Sequence, residues 1–243
     1  MTSWLAYTIL ASIIGAFGLL AAAELLWPAR RGHDGDKWHI AVNFALGIAN
    51  TALISLVPIS GFAVALLADD RQWGLFHAIT IPLAMTAITL FILRSLMGYW
   101  LHRLLHQWPL LWRVHRLHHS DTAIDLSTGL RSHPLEVLIA ALVNAALIIG
   151  LGAPPLVVAV IETMMLVAAF WQHANIGITN HTAAVIERLL ITPRLHLNHH
   201  AAERRLQDSN YGDILSIWDR LFDTYTAPDA GRFALGLEDK SGG

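Results

Sequence analysis

The chain has 243 residues, 55% of them hydrophobic and 14% charged, where a soluble protein has about 25% charged. Its net charge is −2 and it has no cysteine. These values exclude a mostly water-facing surface and give no electrostatic footprint for nucleic acid; they also exclude disulfides, zinc ribbons, thiolate-bound iron–sulfur clusters and a cysteine nucleophile.

Residues 4–27 are apolar apart from Ser12, Glu24 and small residues. At about 1.5 Å per residue this run crosses a hydrocarbon core of about 30 Å. It exceeds the length of a signal-peptide core and no basic segment precedes it, so it is expected to be an uncleaved membrane helix. The polar stretch PARRGHDGDK (28–37) follows. Residues 38–67 are apolar again, with Pro58 and Gly61 as a break, which puts the second span at 38–57. ADDRQW (68–73) is the next polar loop, and 79–101 is the third span, interrupted only by Arg94. The fourth and fifth spans, 135–151 and 155–171, are joined by GAPP (152–155), which is short enough to force a helical hairpin. The expected organisation is a set of N-terminal membrane helices (1–97), a histidine-rich catalytic region containing the hairpin (98–225), and a tail (226–243).

Basic residues concentrate in 28–37, in 102–133 and in the segment after the fifth span. Loop 68–73 carries two aspartates and one arginine, and loop 152–155 no charge. Positive residues favour the cytoplasmic side. Five crossings therefore put every basic segment, and every histidine cluster, on the cytoplasmic face.

Histidine is the surplus residue, with 14 copies. Three boxes hold eight of them: HRLLH (His102, His106), HRLHH (His115, His118, His119) and HLNHH (His196, His199, His200). Spacings of three and four put side chains on one helix face, so two imidazoles can reach one ion. All-nitrogen donors suit zinc, iron, copper or nickel. A single zinc needs about four ligands, so eight imidazoles imply two ions. No HExxH is present, which weakens a zinc-protease reading. Carboxylates that could orient the rings are Asp121, Asp125, Asp213 and Asp219. Two other functions compete with oxygen chemistry: a zinc-dependent membrane hydrolase, and a divalent-metal transporter. Transport calls for ionisable residues at mid-span, whereas these histidines lie at span ends.

The order H-x3-H, H-x2-H-H, H-x2-H-H on a multi-span chain resembles the fatty acid hydroxylase/sterol desaturase superfamily of membrane di-iron oxygenases. The similarity continues through 99–136, FWQHANI (170–176), TPRLHLNHH (192–200) and NYGDILSIWDRLFDTY (210–225), covering about 98–225. It implies an all-α, multi-span membrane bundle with a cytosolic-side histidine-rich helical cap holding a dinuclear site. It implies two Fe2+ ions bound by the eight box histidines and by His173, with O2 as co-substrate. His133 is a further ligand or a neighbour of one; Asp125 and Asp219 are placed in the same group. His33, His39, His77 and His181 are not expected to bind. The implied reaction is hydroxylation or desaturation of a lipid. With no GxGxxG after a strand and no cysteine, electrons must come from a separate reductase or carrier; the basic rim of Arg103, Arg113, Arg116, Arg204 and Arg205 can dock an acidic one. Two positions depart from the family pattern: Ala201-Ala202 after the third box, and Asp223 where the closing motif usually has glycine.

Overall fold

The computed structural model describes residues 3–31, 38–57, 59–228 and 233–238. Among them there are only helices, turns and isolated bridges. The order is α1 (Ser3–Leu26), α2 (His39–Leu56), α3 (Gly61–Asp70), α4 (Leu75–Ala78), α5 (Leu83–Gln107) and α6 (Pro109–His115). Two 3-10 turns follow, His118–Ser120 and Leu126–Leu130. Then come α7 (Pro134–Leu151), α8 (Pro155–His173), α9 (Asn180–Ile186), α10 (Pro193–His199), α11 (Arg204–Gln207) and α12 (Ile217–Leu221). Among the described residues, five stretches are long and apolar enough to cross a membrane. Their outward faces carry large exposed apolar side chains such as Leu10, Ile14, Ile48, Ile88, Leu142 and Val160, a surface stable only against lipid.

The second crossing differs from the expected span 38–57. The first turns of α2 lie in the histidine-bearing layer, where Asn43 donates to Asp121 and Ser127 and Asn50 donates to the Ser132 carbonyl. The chain after α2 then meets the middle of α7, since Gly61 sits against Asn144 and Ile148. α3 carries on to the far end, where Gly74 touches Gly152. One crossing is thus made by two helices with a break between them. Ser60 caps α3 by accepting from the Ala63 N–H. Pro58, the expected breaker, and residues 32–37, which include His33, lie outside the described residues.

The third crossing also differs: helix starts at Leu83, not at 79, because Pro82 holds an extended conformation as its N-cap. At 25 residues α5 is about 37 Å long, more than a bilayer core needs, so its last turns project into the cap. The α7–α8 hairpin matches expectation. Gly152 ends α7 at φ 64°, and Pro154-Pro155 start α8 at once. A Cβ at Gly152 would lie 2.3 Å from the Trp73 carbonyl oxygen, so this joint requires glycine twice over.

Two apolar clusters hold the bundle. One packs Val64, Leu90, Ile148, Val158 and Ile161 between α3, α5, α7 and α8. The other, nearer the histidines, packs Leu126 and Phe170 with Phe17 and Leu130; Phe17 and Phe170 meet edge to face at 5.2 Å. Glu24, the one acid in α1, accepts from the Leu126 and Asn175 N–H groups and so ties this helix to the cap. Part of the expected tail is docked: Ala202 N–H donates to Ala234 O and Gly236 N–H to His200 O.

Candidate metal centre

Nine imidazoles converge under the cap in two groups. His102, His106, His115, His119 and His199 form one; His118, His173, His196 and His200 form the other. Within each group one nitrogen per ring lies within 4.8 Å of every other, a spacing that can hold a metal ion. Local sequence explains the delivery. The overlong α5 carries His102 and His106 out of the bilayer. Pro109 starts α6 directly afterwards and turns His115 back toward them. His173 is the last residue of α8, and the Thr192 cap with Pro193 starts the short helix that holds His196 and His199.

The two H-x-x-H-H boxes do not each serve one group. In each box the i,i+4 pair stays together and the middle histidine crosses over. His115 and His119 join one group and send His118 to the other; His196 and His200 join the second and send His199 back. Residues four apart share a helical face, whereas adjacent residues point about 100° apart.

Six rings are oriented from outside through Nδ1. His102 faces Tyr211 O at 2.9 Å, His118 faces Arg131 O at 3.0 Å, His173 faces Ala169 O at 2.6 Å and His199 faces Ser209 O at 2.8 Å. His115 faces Glu136 at 3.0 Å and His106 faces Asp208 at 3.3 Å. A carbonyl only accepts, so Nδ1 of the first four must carry the proton and their Nε2 atoms are bare lone pairs. Yet His199 Nε2 lies 2.9 Å from His102 Nε2, and His173 Nε2 lies 3.1 Å from His118 Nε2. Two lone pairs do not face each other at that distance without a cation between them. Metal–nitrogen bonds of about 2.1 Å at right angles put two nitrogens about 3.0 Å apart. One such opposed pair occurs in each group, so the donor chemistry fits a metal in both. Burial, reinforced by neighbouring imidazoles, holds His118, His119, His196 and His200 well below the usual histidine range and brings His199 down to about 3. The rings are therefore neutral and able to ligate at physiological pH.

The other expected residues fall elsewhere. His133 caps α7, accepting from the Leu135 N–H, and belongs to neither group. Asp125 caps the turn 126–130 and Asp121 accepts from Asn43 and Thr128; both face His39 rather than a box histidine. Asp213 pairs with Arg94. Asp219 accepts from Tyr211 N–H, Gly212 N–H and Thr224 Oγ1, and so braces the loop whose carbonyls orient His102 and His199. The carboxylates that do touch ring nitrogens, Glu136 and Asp208, were missed by sequence reasoning. His181 is exposed, and His77 sits by Gly152 at the far end of the bundle. Of the basic rim, Arg204 and Arg205 pair with Asp208 and Glu203, while Arg103 stacks over Trp100.

Two cavities adjoin the centre. A small one of about 190 Å³ is lined by His102 and His115 of one group and His118, His173 and His196 of the other. A larger one of about 590 Å³ runs from it along α7 and α8 to Ile9, Ile13 and Ile54, and the two share Arg94, Ser132, Glu136 and Ala140.

A family model, Fatty acid hydroxylase, matches residues 87–224. Alkylglycerol monooxygenase of Danio rerio is 32% identical over 205 residues, 83% of this chain and 45% of that protein. Alkylglycerol monooxygenase of Homo sapiens is 36% identical over 129 residues, 53% of this chain and 28% of that protein. Ornithine lipid hydroxylase OlsE of Rhizobium tropici is 26% identical over 228 residues, 89% of this chain and 65% of that protein. The chain thus spans less than two thirds of the length of each of these relatives. No solved structure matches.

Proposed function

Because the chain belongs to the fatty acid hydroxylase family, we propose that it is a multi-pass membrane oxygenase that hydroxylates a lipid, with one Fe2+ in each histidine group. The nine ligands are His102, His106, His115, His119 and His199 on one side and His118, His173, His196 and His200 on the other. The observation that carries this reading is the pair of opposed bare nitrogens in each group, His102 against His199 and His118 against His173. Bound iron supplies oxygen activation, the chemistry that breaks an aliphatic C–H bond and that protein acids and bases lack.

The chain supplies binding, orientation and exclusion of water. Backbone carbonyls, Glu136 and Asp208 fix ring orientation and tautomer. The small cavity is lined by histidines of both groups, so a carbon held there would lie beside the residues that would hold the iron. The large cavity, bounded by apolar residues of α1, α2, α7 and α8, receives the apolar part of the lipid from the bilayer. Walls of Leu105, Ala169 and Met97 keep bulk water from the reacting carbon. Two of the relatives are a monooxygenase and a hydroxylase, which favours hydroxylation over desaturation.

The arginines of 103–131 and 188–220 lie on the histidine side of the bundle, which supports a cytoplasmic centre. Electrons come from a separate carrier. A cleft of about 310 Å³ lined by Trp112, Arg116 and Arg204 suits its approach, since the Trp112 ring lies 5.1 Å from the His106 ring. Metal analysis of the purified protein together with O2 consumption in the presence of a reductant and lipid extract tests the reading. Two irons per chain and an O2-dependent hydroxylated lipid are expected. Zinc as the bound metal with O2-independent hydrolysis would overturn it in favour of a membrane hydrolase.

A further inference from the structure

Arg94 and Glu162 lie within membrane spans, where charged side chains are costly and face a function or a partner. Arg94 Nε is 3.3 Å from Glu162 Oε1, which also accepts from Asn144, and Arg94 NH1 is 3.9 Å from Asp213. A purely structural ion triad would be closed off. Here 36% of the Glu162 side chain and 32% of the Asp213 side chain remain exposed, and both residues line the cavities that lead to the histidines. Glu162 Oε2 and Asp213 Oδ1 accept no hydrogen bond from any described residue.

The cluster stands where the two cavities join. Arg94 lines both, Asp213 the small one and Glu162 the large one. The Arg94 guanidinium reaches forward to Gly98, 3.3 Å from where a Cβ would stand there, which leaves four residues, about 6 Å along α5, to His102. Beyond the cluster the large cavity continues along Ile9, Ile13, Ile54 and Leu166. A lipid lying in it has its tail among these isoleucines, its polar group at the cluster, and a carbon only a few bonds away in the small cavity. Two carboxyls for one guanidinium leave acceptor oxygens uncommitted and no spare cation.

Resting on the lipid-oxygenase reading, we propose that Arg94, Glu162 and Asp213 form the subsite for the polar group of the substrate. That group is a hydrogen-bond donor, a hydroxyl or an amine. An anionic phosphate, which would meet two acids and an already paired arginine, is rejected, and so is a group that only accepts. The carbon presented to the histidines therefore lies close to the polar group rather than far along an alkyl chain.

The test is equilibrium binding to the purified, metal-loaded protein in detergent micelles, with four probes of one chain length. These are hexadecane-1,2-diol, hexadecylamine, 1,2-dimethoxyhexadecane and hexadecyl phosphate. The diol or the amine should bind at least tenfold more tightly than the dimethoxy compound, with the phosphate weakest; which of the two leads identifies the donor. Glu162→Leu should reduce that preference to less than threefold. Glu162→Gln, which keeps the shape, should weaken the amine at least tenfold and the diol less. Equal binding of diol, amine and dimethoxy compound overturns the proposal, as does tightest binding of the phosphate or a full preference in Glu162→Leu. The probe series on the unaltered protein decides even if Glu162→Leu fails to fold. No turnover is read, so donor preference without O2 consumption sinks the oxygenase reading alone, and O2 consumption without preference sinks the subsite alone.

Discussion

A single methyl group at position 98 decides whether Asp213 can approach Arg94. A Cβ there would lie 1.9 Å from Asp213 Oδ2. Alanine is the better helix former by about 1 kcal/mol, yet the clash is of the kind that costs about 1–3 kcal/mol in a packed interior. Gly98→Ala should therefore lower the thermal midpoint in detergent, and a higher midpoint would mean that the carboxylate steps aside freely. Asp223 is the converse case. It sits at φ 56°, a left-handed conformation that favours glycine. Asp223→Gly should raise stability by about 0.5–1 kcal/mol, read as a higher melting temperature. The family's usual glycine at this position has its physical reason in that dihedral. At this scale the sequence was legible where spacing carries information. The i,i+4 pairs His102/His106, His115/His119 and His196/His200 each enter one group together. Glu136 and Asp208 were not legible, because no spacing rule links His106 to a residue 102 positions away.

The elements that matter most are the overlong α5 and the loop after α11. The loop has little regular structure, and its geometry depends on Asp219, whose carboxyl holds Tyr211, Gly212 and Thr224. Removing it leaves the Tyr211 and Gly212 N–H groups without a partner, a cost of about 2–4 kcal/mol, while Thr224 Oγ1 keeps its contact with Tyr99 OH. The loss should also reach the centre, since Tyr211 O and Ser209 O orient His102 and His199, which belong to the same group. Asp219→Ala is thus expected to reduce bound metal from two ions toward one, measured by elemental analysis. Retention of both ions would show that the loop is not what holds these rings. The hairpin of α7 and α8 could be read from GAPP alone. The two-helix second crossing could not: Pro58 marks a break, but only packing against Asn144 and Gly152 shows that α3 completes the passage.

For the molecule as a whole, five box histidines held neutral by burial make stability depend on pH. An unfolded histidine takes up a proton near pH 6.5. His118, His119, His196 and His200 resist protonation until well below that, and His199 until about 3. Below pH 6.5 the unfolded chain binds protons that the native chain refuses, so stability present above 6.5 is lost as pH falls. Asp219, raised by burial to about 6, and Asp213, also raised by burial, work in the opposite sense, but they are two groups against five. Metal-free protein should melt at clearly lower temperature at pH 5.5 than at 7.5; a flat profile would mean that water reaches the rings.

The crossed-over boxes also set an order of assembly during synthesis. Four of the five rings of one group, His102, His106, His115 and His119, are in the chain by residue 119. The other group then owns only His118, and it waits for the hairpin to deliver His173 and for residues 196–200 to follow. Yet the first group also closes only when His199 and the Ser209 and Tyr211 carbonyls arrive, so an ion held by either group is secured only after the third box is made. A product truncated within the hairpin should therefore bind metal more weakly than the full chain at both groups.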